Sequence, residues 1–131
     1  MKGFSLIEVV VVTALIALTL TLAGPRIGAG LGRLELERAH QTIRNFVKIG
    51  RVQAERSDRE YYLVIDRKQD SVSLVDPGMK VIRREQLPSS VQINFESNTD
   101  VAGLTIMPSG MVRGSTIRLH GRAGDLNVEL Q

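Results

Sequence analysis

No cysteine occurs in the 131 residues, so neither a disulfide nor a thiolate metal site can form. Tryptophan is absent, and three Phe and two Tyr are too few for a stacking platform along single-stranded nucleic acid. An excess of one charge is also missing: 17 basic against 14 acidic side chains give a formal net charge of +3. That balance is too mild to imply nucleic acid by itself. No Gly-x-Ser-x-Gly, His-Glu-x-x-His or phosphate-binding glycine loop is found. Ser109-Gly110 reads as a turn, and His40 and His120 read as surface residues of a helix and a strand end. Asn94, Glu96, Asn98 and Asp100 alternate oxygen-bearing side chains but lack the central glycine and the bidentate glutamate of a calcium loop. No enzyme is expected, and with it no catalytic residue, metal or cofactor.

What the chain does have is an apolar block at its start. Phe4 to Gly24 are 21 residues, of which twelve are Phe, Leu, Ile or Val. As a helix they span about 31 Å, close to the ~30 Å hydrocarbon core of a bilayer. Twelve such residues at roughly −0.3 to −0.6 kcal/mol each offset the one carboxylate, Glu8, which costs at most about 3 kcal/mol. Lys2 precedes the block and Arg26 and Arg33 follow it, so loop charge sets orientation only weakly. A secretory signal peptide is one reading, with Thr21-Leu22-Ala23 as the cleavage site. Against it stand a two-residue n-region and a carboxylate at the head of the block. A plain single-span anchor leaves Glu8 unexplained, and an ionisable group in a span is a functional hypothesis by default.

Gly24-Pro25 then interrupts the run, and Gly28, Gly30 and Gly32 follow. Proline removes a helical donor and each glycine costs about 1 kcal/mol in a helix, so a kink or loop is expected at Gly24 and Pro25. From Leu34 to about Ser57, Leu36, Ala39, Ile43, Phe46, Val47, Gly50 and Ala54 recur at spacings of three and four, the pattern of a helix that packs on a sheet. Arg44, Lys48 and Arg51 form a basic strip on that helix, for which an acidic neighbouring subunit is a candidate partner.

Seven short strands are predicted beyond it: Tyr61 to Ile65, Ser71 to Val75, Lys80 to Arg84, Val91 to Phe95, Leu104 to Met107, Ser115 to His120 and Asp125 to Leu130. Asp66 to Asp70 and Asp76-Pro77-Gly78 are turn signals between the first three. Short connections favour an antiparallel meander with one apolar face on the helix. The fold class read from these elements is α+β, a long N-terminal helix packed on an antiparallel β domain.

Gly3-Phe4-Ser5-Leu6-Ile7-Glu8 and the apolar run behind it resemble the leader of type IV pilins and type II secretion pseudopilins. The C-terminal half narrows this. Arg51 and Ala54, Leu87-Pro88, Ile106-Met107-Pro108-Ser109-Gly110, Ser115 to Leu119 and Leu126 to Leu130 resemble the GspH/FimT family of minor pseudopilins and minor pilins. The resemblance implies a pilin-like fold with four parts: a leader at 1–3, a transmembrane and assembly helix at 4–24, a kinked junction and amphipathic helix at 25–57, and a periplasmic β domain at 58–131. It implies cleavage by a prepilin peptidase between Gly3 and Phe4 and N-methylation of Phe4. It further implies assembly through Phe4 and Glu8, whose carboxylate would pair with the N-terminal amine of a neighbouring subunit. Implied partners are other pseudopilins or pilins, the prepilin peptidase, the inner membrane as a single-pass anchor, and exoprotein substrates.

The expected function is that of a GspH-type minor pseudopilin at or near the tip of a pseudopilus. The alternative is a FimT-type minor pilin acting in pilus assembly or DNA uptake, with Arg113, Arg118 and Arg122 on phosphates. The near-neutral charge favours scattered surface arginines. The sequence also reads to Gln131 without the glycine and basic residues that commonly follow the last strand in that family. DNA is therefore not expected as a partner. A third reading is an ordinary secreted domain released by signal peptidase.

Overall fold

The computed structural model describes residues 3–130; the side chains of residues 23–29, within the first helix, lie outside the described residues. That helix, α1, runs from Leu6 to Ser57. The weak point expected at Gly24 and Pro25 falls on the stretch that is not described. At its start Ser5 is in extended backbone and its Oγ accepts from the Glu8 amide at 3.3 Å. At its end Asp58 takes the left-handed conformation (φ 52°), the Arg59 amide donates back to the Ala54 carbonyl, and Arg56 sits where the helix dipole favours a cation.

Eight strands follow: β1 Tyr61–Asp66, β2 Ser71–Val75, β3 Val81–Gln86, β4 Gln92–Phe95, β5 Val101–Ile106, β6 Val112–Arg113, β7 Ile117–Gly121 and β8 Gly124–Val128. All pairs are antiparallel. The α+β class expected from the sequence is the observed one. The single meander is not: the strands form a five-stranded sheet in the order β3-β2-β1-β5-β6 and a three-stranded sheet in the order β4-β7-β8.

Dimensions explain the split. Buried positions on α1 extend from Gly32 to Ala54, about 33 Å along the axis. Five strands at ~4.8 Å spacing cover only about 19 Å, and six residues of strand about the same. One sheet cannot cap that length. The early part of the buried helical stretch therefore meets the small sheet, where Gly32 lies against Arg122 and Leu36 against Gly121. The later part meets the large one, where Gly50 lies against Ile106 and Leu74.

The helical face read from spacing is the face that is buried: Leu36, Ala39, Ile43, Phe46, Val47 and Ala54 are all in the core, joined by Gly32 and Gly50. Against it the large sheet presents Leu63, Ile65, Leu74, Leu104 and Ile106, and the small sheet Ile93, Ile117, Leu119 and Val128. Each large apolar side chain so buried contributes about 1.5–3 kcal/mol. In the β1–β2 turn, Asp66 Oδ1 accepts from the amides of Lys68 (2.9 Å) and Gln69 (3.2 Å). In the β2–β3 turn, Asp76 Oδ1 accepts from the Lys80 amide at 2.7 Å. There the left-handed residue is Met79 (φ 64°), not the glycine beside it.

Polar contacts also join the layers. The Ser90 hydroxyl donates to the Glu35 carboxylate, linking the loop before β4 to α1. Arg67, in the large sheet's first turn, stacks 5.1 Å over the Phe95 ring of the small sheet. Among the described residues no helix is long and apolar enough to cross a membrane. The described part of the apolar run, Leu6 to Leu22, is 17 residues, about 26 Å of helix. The expected span to Gly24 takes in two positions outside the described residues.

Candidate functional site

The described surface is dominated by one feature. From Phe4 to Leu22 every side chain is exposed, including Phe4 at 83% and Leu6 at 84%. Val9 to Val12, Leu15, Ile16, Leu18 and Leu20 add to a continuous apolar helix surface. Monomeric proteins rarely expose contiguous apolar patches beyond a few hundred Å², so a surface of this kind marks contact with lipid or protein.

The polar groups within the run fit such an environment. The Thr13 hydroxyl donates to the Val9 carbonyl at 2.7 Å, and the Thr21 hydroxyl to the Ala17 carbonyl at 2.7 Å. The Thr19 hydroxyl donates to the Ile16 carbonyl at 2.8 Å and also reaches that of Leu15 at 3.0 Å. Each threonine donor is thus satisfied by its own helix, as a low-dielectric surrounding requires.

Glu8 is the exception. Its side chain is exposed and makes no hydrogen bond or ion pair among the described residues, although its amide is capped by Ser5. Ser5 at the cap and Glu8 three positions on have the spacing of a capping box, a signal carried by the sequence itself. Only half of the box forms: Ser5 accepts from the Glu8 amide, while the Glu8 carboxylate does not close back on the Ser5 amide. Glu8 therefore keeps its acceptor capacity at the positive end of the helix dipole. Gly3 lies in extended chain before the cap, with open space where a side chain would project.

The remaining expected residues are scattered. Arg113 is on β6, at the edge of the large sheet, and Arg118 is at the centre of the small one. In register beside Arg118 stand Asn94 and Asn127. Arg122 is in the β7–β8 turn against Gly32. The three arginines lie on β6, on β7 and in the β7–β8 turn. His40 is half-buried on α1, and His120 pairs with Asp125 across the β7–β8 hairpin. Asn94 and Phe95 end β4, and 96–100 is an exposed loop. Among the described residues no three His, Cys, Asp or Glu side chains gather as a metal site would need.

The basic strip is brought to a groove. Arg44, Asn45, Lys48 and Arg51 line one side of a cavity of about 450 Å³, with Glu129 and Leu130 opposite. Arg51 Nη2 donates to the Leu130 carbonyl, tying the last strand to α1. No local spacing reveals that contact, because the two residues are 79 positions apart.

These features define an α+β protein with a long N-terminal helix, part of it packed on two antiparallel sheets and part of it bare and apolar. No protein-family model and no curated protein matches the sequence. Among solved structures, the minor pseudopilin EpsH from the type 2 secretion system of Vibrio cholerae is similar at 12% identity and a TM-score of 0.48. The match covers 71% of this chain and 95% of that one.

Proposed function

We propose that this chain is a subunit of a membrane-anchored filament, a minor pseudopilin of the GspH type in a type II secretion system. The observation that carries the reading is the bare apolar helix with a single unpaired carboxylate near its head, preceded by Gly3-Phe4. Cleavage after Gly3 by a prepilin peptidase would leave Phe4 as the new N-terminus, to be N-methylated. Glu8 would then stand five residues into the mature chain. In lipid or between packed helices, a carboxylate needs a positive partner, and an amine on an adjacent subunit supplies one. Attraction in low dielectric is strong, and a carboxylate left without its partner there is costly, so the pair fixes register between subunits as well as holding them. Before assembly the helix from Phe4 to Gly24 anchors the subunit in the inner membrane, with the β domain in the periplasm. Growth of the filament then moves the β domains against exoprotein cargo.

The type IV minor pilin reading shares this assembly chemistry and differs in the use of arginines on DNA. The placement of Arg113, Arg118 and Arg122 on separate elements favours the secretion reading.

N-terminal sequencing and intact mass of the protein from membranes test the proposal. The expected chain starts at N-methylated Phe4. A start at Gly24 would mean release by signal peptidase, and a start at Met1 an unprocessed anchor. Either result overturns the filament role.

A further inference from the structure

We propose that the groove between α1 and the end of β8 binds an extended acidic segment of another protein, with carboxylates at alternate positions. Arg44, Lys48 and Arg51 stand at i, i+4 and i+7 on α1, so all three face one side. Arg44 and Lys48 are exposed at the rim, and none of the three has a carboxylate within ion-pair distance among the described residues. Arg51 is held in place by its bond to the Leu130 carbonyl, and its Nε is enclosed without an acceptor among the described residues. One fixed guanidinium thus closes the inner end of a trough whose outer cations are exposed.

The spacing selects the ligand. Arg44 and Lys48 are four residues apart, about 6 Å along the axis. Alternate side chains of an extended chain are about 6.6 Å apart and point to the same side. An acidic-x-acidic segment laid along α1 therefore places one carboxylate on each cation, while its backbone can meet the Asn45 amide. A nucleic acid strand fits less well. The lining contains no aromatic ring for base stacking.

The surface lies on the packed half of α1, so it is independent of the assembly chemistry of Phe4 and Glu8. The test uses the full chain in detergent and a fluorescein-labelled decapeptide of alternating Glu and Ala, read by anisotropy at low and high salt. Binding is expected at low salt, with Kd raised about tenfold in the Arg44→Glu/Lys48→Glu double variant. Arg59→Glu, an exposed charge beyond the helix end, should leave Kd unchanged. Both altered positions in the double variant are exposed, and an unchanged thermal melt would confirm that it folds. The proposal is overturned by equal binding to the double variant, or by equal binding of a peptide with Gln in place of Glu. It is also overturned if a ten-nucleotide oligothymidine binds more tightly than the Glu peptide, which would make the groove a phosphate site.

Discussion

The Arg51 guanidinium on α1 donates to the Leu130 carbonyl just beyond β8, so the helix holds the segment that follows the last strand. Its Nε is enclosed with no acceptor among the described residues, which makes the Nη2 bond the principal polar return on burying part of this cation. Replacing Arg51 with Met keeps the aliphatic packing and removes the bond. The expected loss is about 1.5–3 kcal/mol in urea unfolding, the usual range for one charge-assisted bond. Amide exchange should speed up in β8 before it does in β1. Uniform protection across both strands would show that the contact does not restrain the chain end.

Glu8 offers a sharper discrimination. If it served only the helix start, Glu8→Gln would preserve function, because Gln also suits the third position of a capping box. If its charge pairs with a neighbour's amine, Glu8→Gln should fail as Glu8→Ala does. We expect both variants to insert in membranes normally and to be lost from cross-linked filament fractions. Recovery of the Gln variant in those fractions at wild-type levels would assign Glu8 to capping alone.

Gly50 sits where α1 comes closest to the large sheet. A side-chain carbon there would lie 2.3 Å from Ile106 Cδ1 and 3.2 Å from Leu74 Cδ1. Both neighbours are fully buried, so neither has free space to move into. Gly50→Ala gains about 1 kcal/mol of helix propensity and loses about 1–3 by overpacking, for a net loss of about 1 kcal/mol. Combining it with Ile106→Val, which removes the offending methyl, should recover most of the loss in a double-mutant cycle. Strict additivity of the two changes would refute the clash.

Lys68 and Asp100 form an exposed ion pair at 3.0 Å between the β1–β2 turn and the loop before β5. The hydrogen bond and charge of Asp100 raise the Lys68 ammonium above the ordinary lysine value of 10.5. The folded-state value is raised, so the pair's contribution is complete below about pH 10.5 and disappears as pH climbs through the higher folded value. NMR titration of the Lys68 side chain should show that elevation, and Asp100→Asn should remove most of it, the charge of Asp66 supplying the rest. Because the pair is solvent-exposed, the same change should leave the melting temperature almost unmoved.

Much of this architecture could be read from residue order. The buried face of α1 announced itself because Leu36, Ala39, Ile43, Phe46, Val47 and Ala54 leave a strip without charge, and burial needs nothing more local than that. Strands β1 and β2 were equally plain, bounded by Asp66 and by Asp76-Pro77, whose side chains or rings fix the turns. The division into two sheets was not legible. It depends on β1 passing over β4 to pair Leu63 with Leu104, and on Asn94 meeting Arg118, choices made by long-range packing over a helix too long for one sheet. The two-residue β6 carries too little pattern to detect. Of the candidate site, Gly3-Phe4, Glu8 and the apolar run were visible in the residue order. The convergence of Arg51 on Leu130 was not, because only the finished fold makes them neighbours.

Strand β3 closes one side of the large sheet, and all six of its residues are exposed. Arg83 and Arg84 project to opposite faces, one over the Phe46 ring and one to the Ser73 hydroxyl, with Glu85 next in line. A border so studded with charge discourages another sheet from zipping onto it. Crowded copies can then jostle without fusing through their globular heads, leaving the greasy stems as the sticky part of the molecule.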